Sequence, residues 1–341
     1  MNRAAPLAVA CLGMAACGPI GRREVVGPPG AVDAAAGVPA PLVSVERFPP
    51  GAHLVFVDEH GQRVADLTDP PDGASLDLHP AVSPDGKWVA YASNRGGGRS
   101  SLWIVPTDRS RPPARLTEGA SDVEPAFSPD GTHLAFTSDR GGGLDIWMVD
   151  VHGDRAGAPV RVTHDPVDEM SPAWSSRGDR IAFTALTPAG KEIRLVTIPP
   201  DGGGARRLTD GCDPAFAPGD AFVAFVAGGA GPDTDLWAID VDGAHRRLLI
   251  RDELADEMAP RFSSDGRYLF ANAIVRRDDG APLFSAIVFL DLAAPGSELR
   301  ALIDRLPASR VGVAVVPGRL HPDALAAAPT LSDAMLRVLL R

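Results

Sequence analysis

The sequence predicts an all-β fold: a six-bladed β-propeller built from four-stranded antiparallel blades. Two observations carry this prediction: a pattern of four short strands joined by tight turns, and the repetition of that pattern along the chain. Incomplete pieces of the pattern stand at the two ends of the repeats. We expect these pieces to pair as a composite N- and C-terminal blade that closes the ring, followed by a short C-terminal helix.

The clearest copy of the pattern spans residues 124–153 and continues to residue 163. Its strand candidates are 125–128, 134–137, 146–149 and 160–163. The first two are joined by Ser128-Pro129-Asp130-Gly131, which has the residues that a type I turn prefers at its first, second and fourth positions. Such a segment is typical of one antiparallel meander.

Five copies of the pattern begin at prolines that lie 42 to 47 residues apart. These prolines are Pro80, Pro125, Pro172, Pro214 and Pro260. A period in the forties with four strands is typical of a propeller blade.

The pieces outside the five copies complete the prediction. Residues 54–61 match the third strand and turn of the pattern, and 63–68 match its fourth strand. Residues near 310–317 are a free strand candidate, and 43–48 would be the second strand of the same composite blade. Pairing the chain ends in this way removes exposed sheet edges. The tail, 321–341, has helical apolar spacing.

Composition excludes one class of function. The chain has 341 residues and a formal net charge of -11, whereas general nucleic-acid binding needs a basic surface. Only three cysteines are present, Cys11, Cys17 and Cys212, and we expect Cys212 to be alone in the mature protein, without an internal disulfide.

The first 17 residues resemble a bacterial lipoprotein signal peptide. Arg3 precedes a short apolar stretch, and Met14-Ala15-Ala16-Cys17 resembles the lipoprotein cleavage box. The resemblance implies lipidation of Cys17. A box ending at Cys11 and an ordinary cleaved secretory peptide are the alternatives. Residues 18–42 are rich in Pro, Gly, Ala and Val and predict a flexible linker, so the propeller is assigned to 43–320.

The repeat itself resembles that of TolB-like β-propellers, on the residues PAFSPDG, LAFTSDR and DIW between Pro125 and Trp147. The resemblance covers roughly residues 45 to 305. It implies a bacterial envelope protein that binds other envelope proteins, including a peptidoglycan-associated lipoprotein. Here a linker precedes the propeller where TolB carries a separate α/β domain, so the resemblance bears on fold and compartment more than on the Tol role.

Acidic residues precede the first strand of most copies. Because the first strand of a blade lies nearest the axis, these side chains are predicted to form a ring at one mouth of the central channel. The candidate binding residues are Asp77, His79, Asp122, Glu124, Asp168, Glu169, Asp213, Asp256 and Glu257. Ser171 would share this rim. The alternative is that these residues satisfy backbone amides in turns.

No catalytic residue, cofactor or metal site is predicted. No serine stands in a Gly-x-Ser-x-Gly frame, and no pair of histidines has the spacing of zinc ligands. We therefore expect a monomeric, non-catalytic lipoprotein of the bacterial envelope, outer-membrane anchored and facing the periplasm, that binds a protein or peptide at the channel mouth. The alternatives are a metal-dependent lyase or hydrolase of envelope or extracellular polymers, and a purely structural scaffold.

The anchor gives a first testable prediction. Replacing Cys17 by serine removes the sulfur atom that would carry an acyl chain. Without acyl chains the protein has no lipid anchor in the membrane. We expect Cys17→Ser to move the protein from the membrane to the soluble fraction on cell fractionation. Cys11→Ser is the matched control and should leave the protein on the membrane. Retention of the Cys17→Ser variant would contradict the predicted anchor.

Overall fold

The computed structural model describes residues 42–48, 51–57, 63–70, 72–199, 204–228, 234–250, 255–263, 266–276, 282–293, 300–306 and 310–315. All regular structure in these ranges is β, and no helix there is long and apolar enough to cross a lipid bilayer. Residues 1–41, with the predicted signal peptide, Cys17 and most of the linker, lie outside the described residues. So does the tail 321–341 with its predicted helix.

Twenty-five strands are described. In chain order they are β1 (Leu42–Phe48), β2 (Gly51–Val57), β3 (Arg63–Asp66), β4 (Asp77–Val82), β5 (Trp88–Ser93), β6 (Ser101–Pro106), β7 (Ala114–Arg115), β8 (Asp122–Phe127), β9 (His133–Ser138), β10 (Asp145–His152), β11 (Arg155–Ala156), β12 (Val160–Arg161), β13 (Asp168–Trp174), β14 (Arg180–Thr187), β15 (Gly190–Thr197), β16 (Arg206–Asp210), β17 (Cys212–Phe216), β18 (Phe222–Gly228), β19 (Thr234–Asp240), β20 (Arg247–Ile250), β21 (Ala255–Phe262), β22 (Tyr268–Arg276), β23 (Pro282–Asp291), β24 (Arg300–Leu306) and β25 (Arg310–Val315).

Five antiparallel sheets are each formed from consecutive strands and are the blades of a β-propeller. We number them in chain order: blade 1 is β4–β7, blade 2 is β8–β12, blade 3 is β13–β16, blade 4 is β17–β20 and blade 5 is β21–β24. Consecutive strands of the described chain therefore form five blades, and not the six that the sequence predicts. They coincide with the five sequence copies, which confirms the all-β propeller prediction.

A further sheet joins the two ends of the described chain, with the strand order β25-β1-β2-β3. In the pairing of β1 with β25, Leu42 lies opposite Val315 and Glu46 lies opposite Arg310. The predicted pairing of residues near 310–317 with residues 43–48 is thus confirmed. We call this sheet the composite sheet.

The predicted turn between the first two strands of a blade is confirmed in blade 2. The Gly131 amide donates to the Ser128 carbonyl over 2.9 Å, and Gly131 has a φ of 73°, which suits glycine. The Ser128 hydroxyl donates to Asp130 and accepts from the His133 amide. Serine at this position therefore ties the turn to the start of the second strand.

The core lies between neighbouring sheets, and the second strand of each blade explains why. In blades 1 to 4 this strand carries an alanine followed by a large aromatic residue, as in Ala90-Tyr91 and Ala135-Phe136. Consecutive side chains of a strand point to opposite faces of the sheet. Ala90 shares one buried cluster with Phe136 of the next blade, and Ala135 shares the next cluster with Phe183. A small face of one blade thus receives a large face of the following blade.

The same packing includes the composite sheet. Val43, Leu54 and Phe56 form one buried cluster with Val89 and Tyr91 of blade 1. Complete burial of one such side chain stabilises the fold by about 1.5–3 kcal/mol. Each seam buries several of these side chains, so each seam stabilises the fold by several times that amount. The apolar seams hold the sheets side by side and leave the innermost strands to line the centre.

Candidate functional site

The innermost strand of every blade is interrupted at the residue before its proline. These residues are His79, Glu124, Ser171, Asp213 and Ala259, and their φ angles lie between 51° and 55°. Positive φ is uncommon for residues other than glycine and marks stored backbone strain. In each blade the register between the first and second strands shifts across this position, as in a β-bulge. The bulge re-aims one side chain per blade.

Hydrogen bonds show that the re-aimed side chains of blades 2, 3 and 4 meet. The Ser171 amide donates to Glu124 Oε2 over 2.8 Å, linking blade 3 to blade 2. The Ser171 hydroxyl lies 3.1 Å from Asp213 Oδ1 and 3.4 Å from Glu124 Oε1. Residues separated by more than 40 positions in sequence are thus joined by hydrogen bonds between neighbouring blades.

Two threonines on the second strands complete the hydrogen bonds. The Thr137 hydroxyl donates to Glu124 Oε2 over 2.9 Å. Thr184 Oγ1 accepts from the Asp213 amide at 3.0 Å. Both threonines are buried, so Glu124 and Asp213 are held from the sheet side.

Arg261 joins this group, and sequence reasoning did not identify it. The residue after the repeated proline is alanine in the first four copies and arginine in the fifth. Arg261 is solvent-accessible, and the negative charges of Asp213 and Glu124 act on its guanidinium. The break in the alanine pattern was the available signal. We call Glu124, Ser171, Asp213 and Arg261 the mouth cluster.

Electrostatics show how tightly the mouth cluster is enclosed. Burial raises the pKa of Asp213, and the neighbouring negative charge of Glu124 raises it further, while Ser171 and Arg261 oppose the shift. Burial lowers the pKa of Arg261, against the effect of the two carboxylates. Both side chains nevertheless retain solvent access. Groups that are crowded by protein and still reached by water are expected inside a narrow channel.

Three residues of the predicted ring are fully buried, which corrects that part of the prediction. Asp77 and Asp122 are fully buried and form ion pairs with Arg95 and Arg140. Each arginine also lies over an indole, with Arg140 5.2 Å from the Trp147 ring centre. These carboxylates organise the blade interior and cannot line an open mouth.

Glu169 occupies the same repeat position in blade 3 and is also fully buried. Neither carboxyl oxygen has a hydrogen-bond partner of ordinary geometry among the described residues, although the Thr163 hydroxyl lies close enough to lower the pKa of Glu169. Arg95 and Arg140 stand two residues after the second strands of blades 1 and 2, and the corresponding residue of blade 3 is Thr187, which carries no charge. Burial raises the pKa of Glu169 to about 7; Asp165 and Asp145 add to the rise, whereas Thr163 and Arg194 oppose it.

The other residues of the predicted ring lie in different environments. Asp168 is exposed and accepts from the Leu144 amide over 3.0 Å, so it serves a backbone contact between blades 2 and 3. His79 is a partly buried member of the bulge positions in blade 1. Asp256 and Glu257 lie on β21, opposite Ile274 and Ala273, and their side chains lie outside the description. A binding role for this set stays a prediction.

The mouth cluster offers hydrogen-bond acceptors, one hydroxyl and one guanidinium. Within the described ranges no three His, Cys, Asp or Glu residues are arranged to hold a metal ion. Ser171 donates toward carboxylates, which cannot by themselves activate it as the His of a nucleophilic triad does. The arrangement suits the recognition of polar and cationic side chains.

Glu169 gives a prediction of pH dependence. Its pKa in the folded state is raised, so its contribution to stability is present below the ordinary value near 4.5 and is lost as pH rises through about 7. We expect Glu169→Gln to stabilise the protein at pH 8 by about 1–3 kcal/mol and to have little effect at pH 4.5.

Chemical denaturation at the two pH values measures this difference. Glu118→Gln is the matched control, because the Glu118 side chain is 82% exposed and its pairing with Arg115 spans 3.8 Å. Equal effects of Glu169→Gln at both pH values would contradict a protonated buried carboxyl.

Comparisons with known proteins bear on the propeller fold. Among solved structures, TolB from Acinetobacter baumannii matches with a TM-score of 0.65 and 19% identity, covering 83% of this chain and 68% of that one. A putative TolB from Agrobacterium tumefaciens matches with a TM-score of 0.57 and 19% identity, over 77% and 87%. An oligogalacturonate lyase in complex with manganese matches with a TM-score of 0.51 and 15% identity, over 76% and 72%. These likenesses concern the fold.

No curated protein matches the chain. The sequence family described as the TolB beta propeller domain matches residues 71–257, more than half of the chain. This span includes blades 1 to 4 and the mouth-cluster residues Glu124, Ser171 and Asp213. The chain belongs to the TolB beta propeller domain family.

Proposed function

We propose that this protein is a non-catalytic, lipid-anchored propeller of the bacterial envelope that binds a protein or peptide partner at the mouth cluster. The observation that carries the proposal is the bridging of Glu124 and Asp213 by Ser171 across three blades. Repeated backbone strain at these positions costs stability, and such strain concentrates at binding sites.

The proposal includes a closed ring in which the composite sheet acts as a sixth blade. Two observations support closure. Strand β25 contacts the innermost strands of both flanking blades, β4 and β21. The buried cluster of Val45, Leu54 and Phe56 with Tyr91 repeats the packing seen between consecutive blades. A closed ring fixes the bulge positions around one axis.

The charges favour a cationic segment of the partner. Glu124 and Asp213 supply carboxylate acceptors, and the net charge of -11 attracts basic chains over longer distances. Arg261 restricts the choice, since it neutralises part of the cluster and repels a second cation placed beside it. We infer that an extended peptide with a lysine or arginine flanked by polar residues fits this mouth.

The anchor and linker fit the same role. A lipid on Cys17 would hold the protein at the outer membrane, facing the periplasm. Residues 18–42 would span about 25–30 Å as a flexible chain, which lets the propeller reach partners near the membrane surface. An envelope protein is therefore the partner that we propose, with the propeller acting as a monomer.

The alternative of a metal-dependent lyase or hydrolase has no specific observation in its favour among the described residues. The lyase similarity extends to the fold at 15% identity and brings no site with it.

A double substitution tests the proposed mouth. Glu124→Gln with Asp213→Asn keeps the shapes of both side chains and removes both charges. Each lost charge-assisted hydrogen bond costs about 1.5–3 kcal/mol, so partner capture should fall at least tenfold. The measurement is crosslinking in intact cells, with the captured proteins identified and quantified by mass spectrometry.

The matched control is Glu118→Gln with Asp150→Asn, which removes two carboxylates that are 82% and 63% exposed and lie outside the mouth cluster. Capture by this control should equal that by the unmodified protein. If the mouth variant captures its partner as efficiently as the control, the proposed binding site is wrong.

A further inference from the structure

A cavity of about 600 Å³ opens at the seam between blades 3 and 4, away from the mouth cluster. Blade 3 contributes Arg180 and Thr197, which lie opposite each other on β14 and β15, together with Leu195, Val196 and Arg206. Blade 4 contributes Val241 and Asp242 from the turn after β19. We call this cavity the seam pocket.

The repeat explains why a cavity forms at this seam. The second strand of each blade begins with a residue that faces the same kind of seam: Trp88, His133, Arg180, Phe222 and Tyr268. In blade 1 the Trp88 indole reaches the turn of blade 2, where a methyl group added to Gly153 would lie 3.6 Å from the ring. In blade 4 the Phe222 ring contacts Phe262 of blade 5, with ring centres 5.8 Å apart.

Blade 3 is different because it has arginine at this position. A long, flexible, charged side chain does not fill the seam as an indole or a phenyl ring does, since it keeps its guanidinium toward water. The space that Trp88 occupies in its own seam therefore remains open beside Arg180. Its volume lies within the range of about 300–1,000 Å³ that is usual for small-molecule sites.

The charges of the seam pocket differ from those of the whole chain. Arg206 donates to the Val241 carbonyl over 2.7 Å, which holds its guanidinium at the pocket wall. Within the described ranges neither Arg180 nor Arg206 forms an ion pair with a carboxylate. The Asp242 carboxylate is turned to its own loop, where it accepts from the Ala244 amide over 2.8 Å. The lining thus carries net positive charge on a protein of net charge -11.

The lining also has an apolar part. Leu195 is 5% exposed and belongs to the buried cluster between blades 3 and 4, and Val241 packs against the same cluster. Guanidinium groups bind carboxylates and phosphates through paired hydrogen bonds, and an apolar floor favours a hydrocarbon body. We propose that the seam pocket binds a small amphiphilic anion with a carboxylate or phosphate head and a short apolar chain.

Calorimetric titration of the full chain tests this site. The Cys17→Ser form is used so that no detergent competes for the pocket. The probes are octanoate for the carboxylate class, octyl phosphate for the phosphate class and 1-octanol as the uncharged chain. We expect at least one anion to bind with a Kd below about 1 mM, and 1-octanol to bind at least tenfold more weakly. The anion that binds more tightly identifies the head group.

Variants assign the binding to the pocket. Arg180→Ala and Arg206→Ala should each weaken the anion at least tenfold. Arg180→Trp should abolish binding by restoring the ring that fills the seam in blade 1. Arg155→Ala, at an exposed arginine on β11, is the matched control and should bind normally. Circular dichroism verifies that each variant is folded. Because Arg206 lies on the exposed outer strand, Arg206→Ala is the variant that should disturb folding least.

Three results would overturn the proposal. They are binding of neither anion, binding of 1-octanol as tight as that of the anions, and unchanged anion affinity in Arg206→Ala and Arg180→Trp.

Discussion

Apolar packing between neighbouring sheets is the interaction on which the rest of this structure depends. The alternation of alanine and a large aromatic residue on the second strand gives each blade a small face and a large face. Ala90 with Phe136, and Ala135 with Phe183, show the two faces meeting. Since interiors are close-packed, a change of volume on one face requires a compensating change on the next blade. Neighbouring blades therefore fit through complementary side-chain sizes.

Because the seams carry the core, the innermost strands are free to carry polar groups. The bulge before each proline directs one residue per blade toward the centre, at the cost of a left-handed backbone. In blades 2 to 4 these residues are Glu124, Ser171 and Asp213, and they form one hydrogen-bonded group. The buried aspartates at the preceding positions have the opposite role. Asp122 compensates Arg140 inside its blade and stabilises the scaffold.

The fold could be predicted from the sequence because its signal is repeated. Five copies of the proline, the turn and the third strand reinforce one another, and the pairing of β25 with β1 followed from the unfinished pieces. The site could be predicted only in part. Asp77, Asp122 and Glu169 stand two residues before the bulge, and a pattern of acidic residues does not show which of them a bulge turns outward. Their burial depends on the register on either side of the bulge, because a shift of one residue moves a side chain to the other face of the sheet.

Departures from the repeat were more informative than the repeat itself. Arg261 replaces the alanine of the other copies and completes the mouth cluster. Arg180 replaces the aromatic residue of other blades and leaves the seam pocket open. Glu169 lacks the arginine that its counterparts pair with, and remains a buried carboxyl with a raised pKa. Arg261 and Arg180 each place a positive charge where other copies have an uncharged or aromatic residue. Glu169 keeps the acidic group of the other copies but lacks its arginine partner.

Position-specific photocrosslinking in intact cells tests the central claim, that the partner docks at the centre of the ring. Ala259 is the bulge residue of blade 5, and its small side chain can be replaced by a photoreactive amino acid at the mouth itself. Val160 lies on an outer strand and is 59% exposed, so it serves as the comparison position. We predict that illumination joins a partner protein to position 259 and not to position 160. Crosslinking at position 160 with none at position 259 would contradict a docking site at the channel mouth.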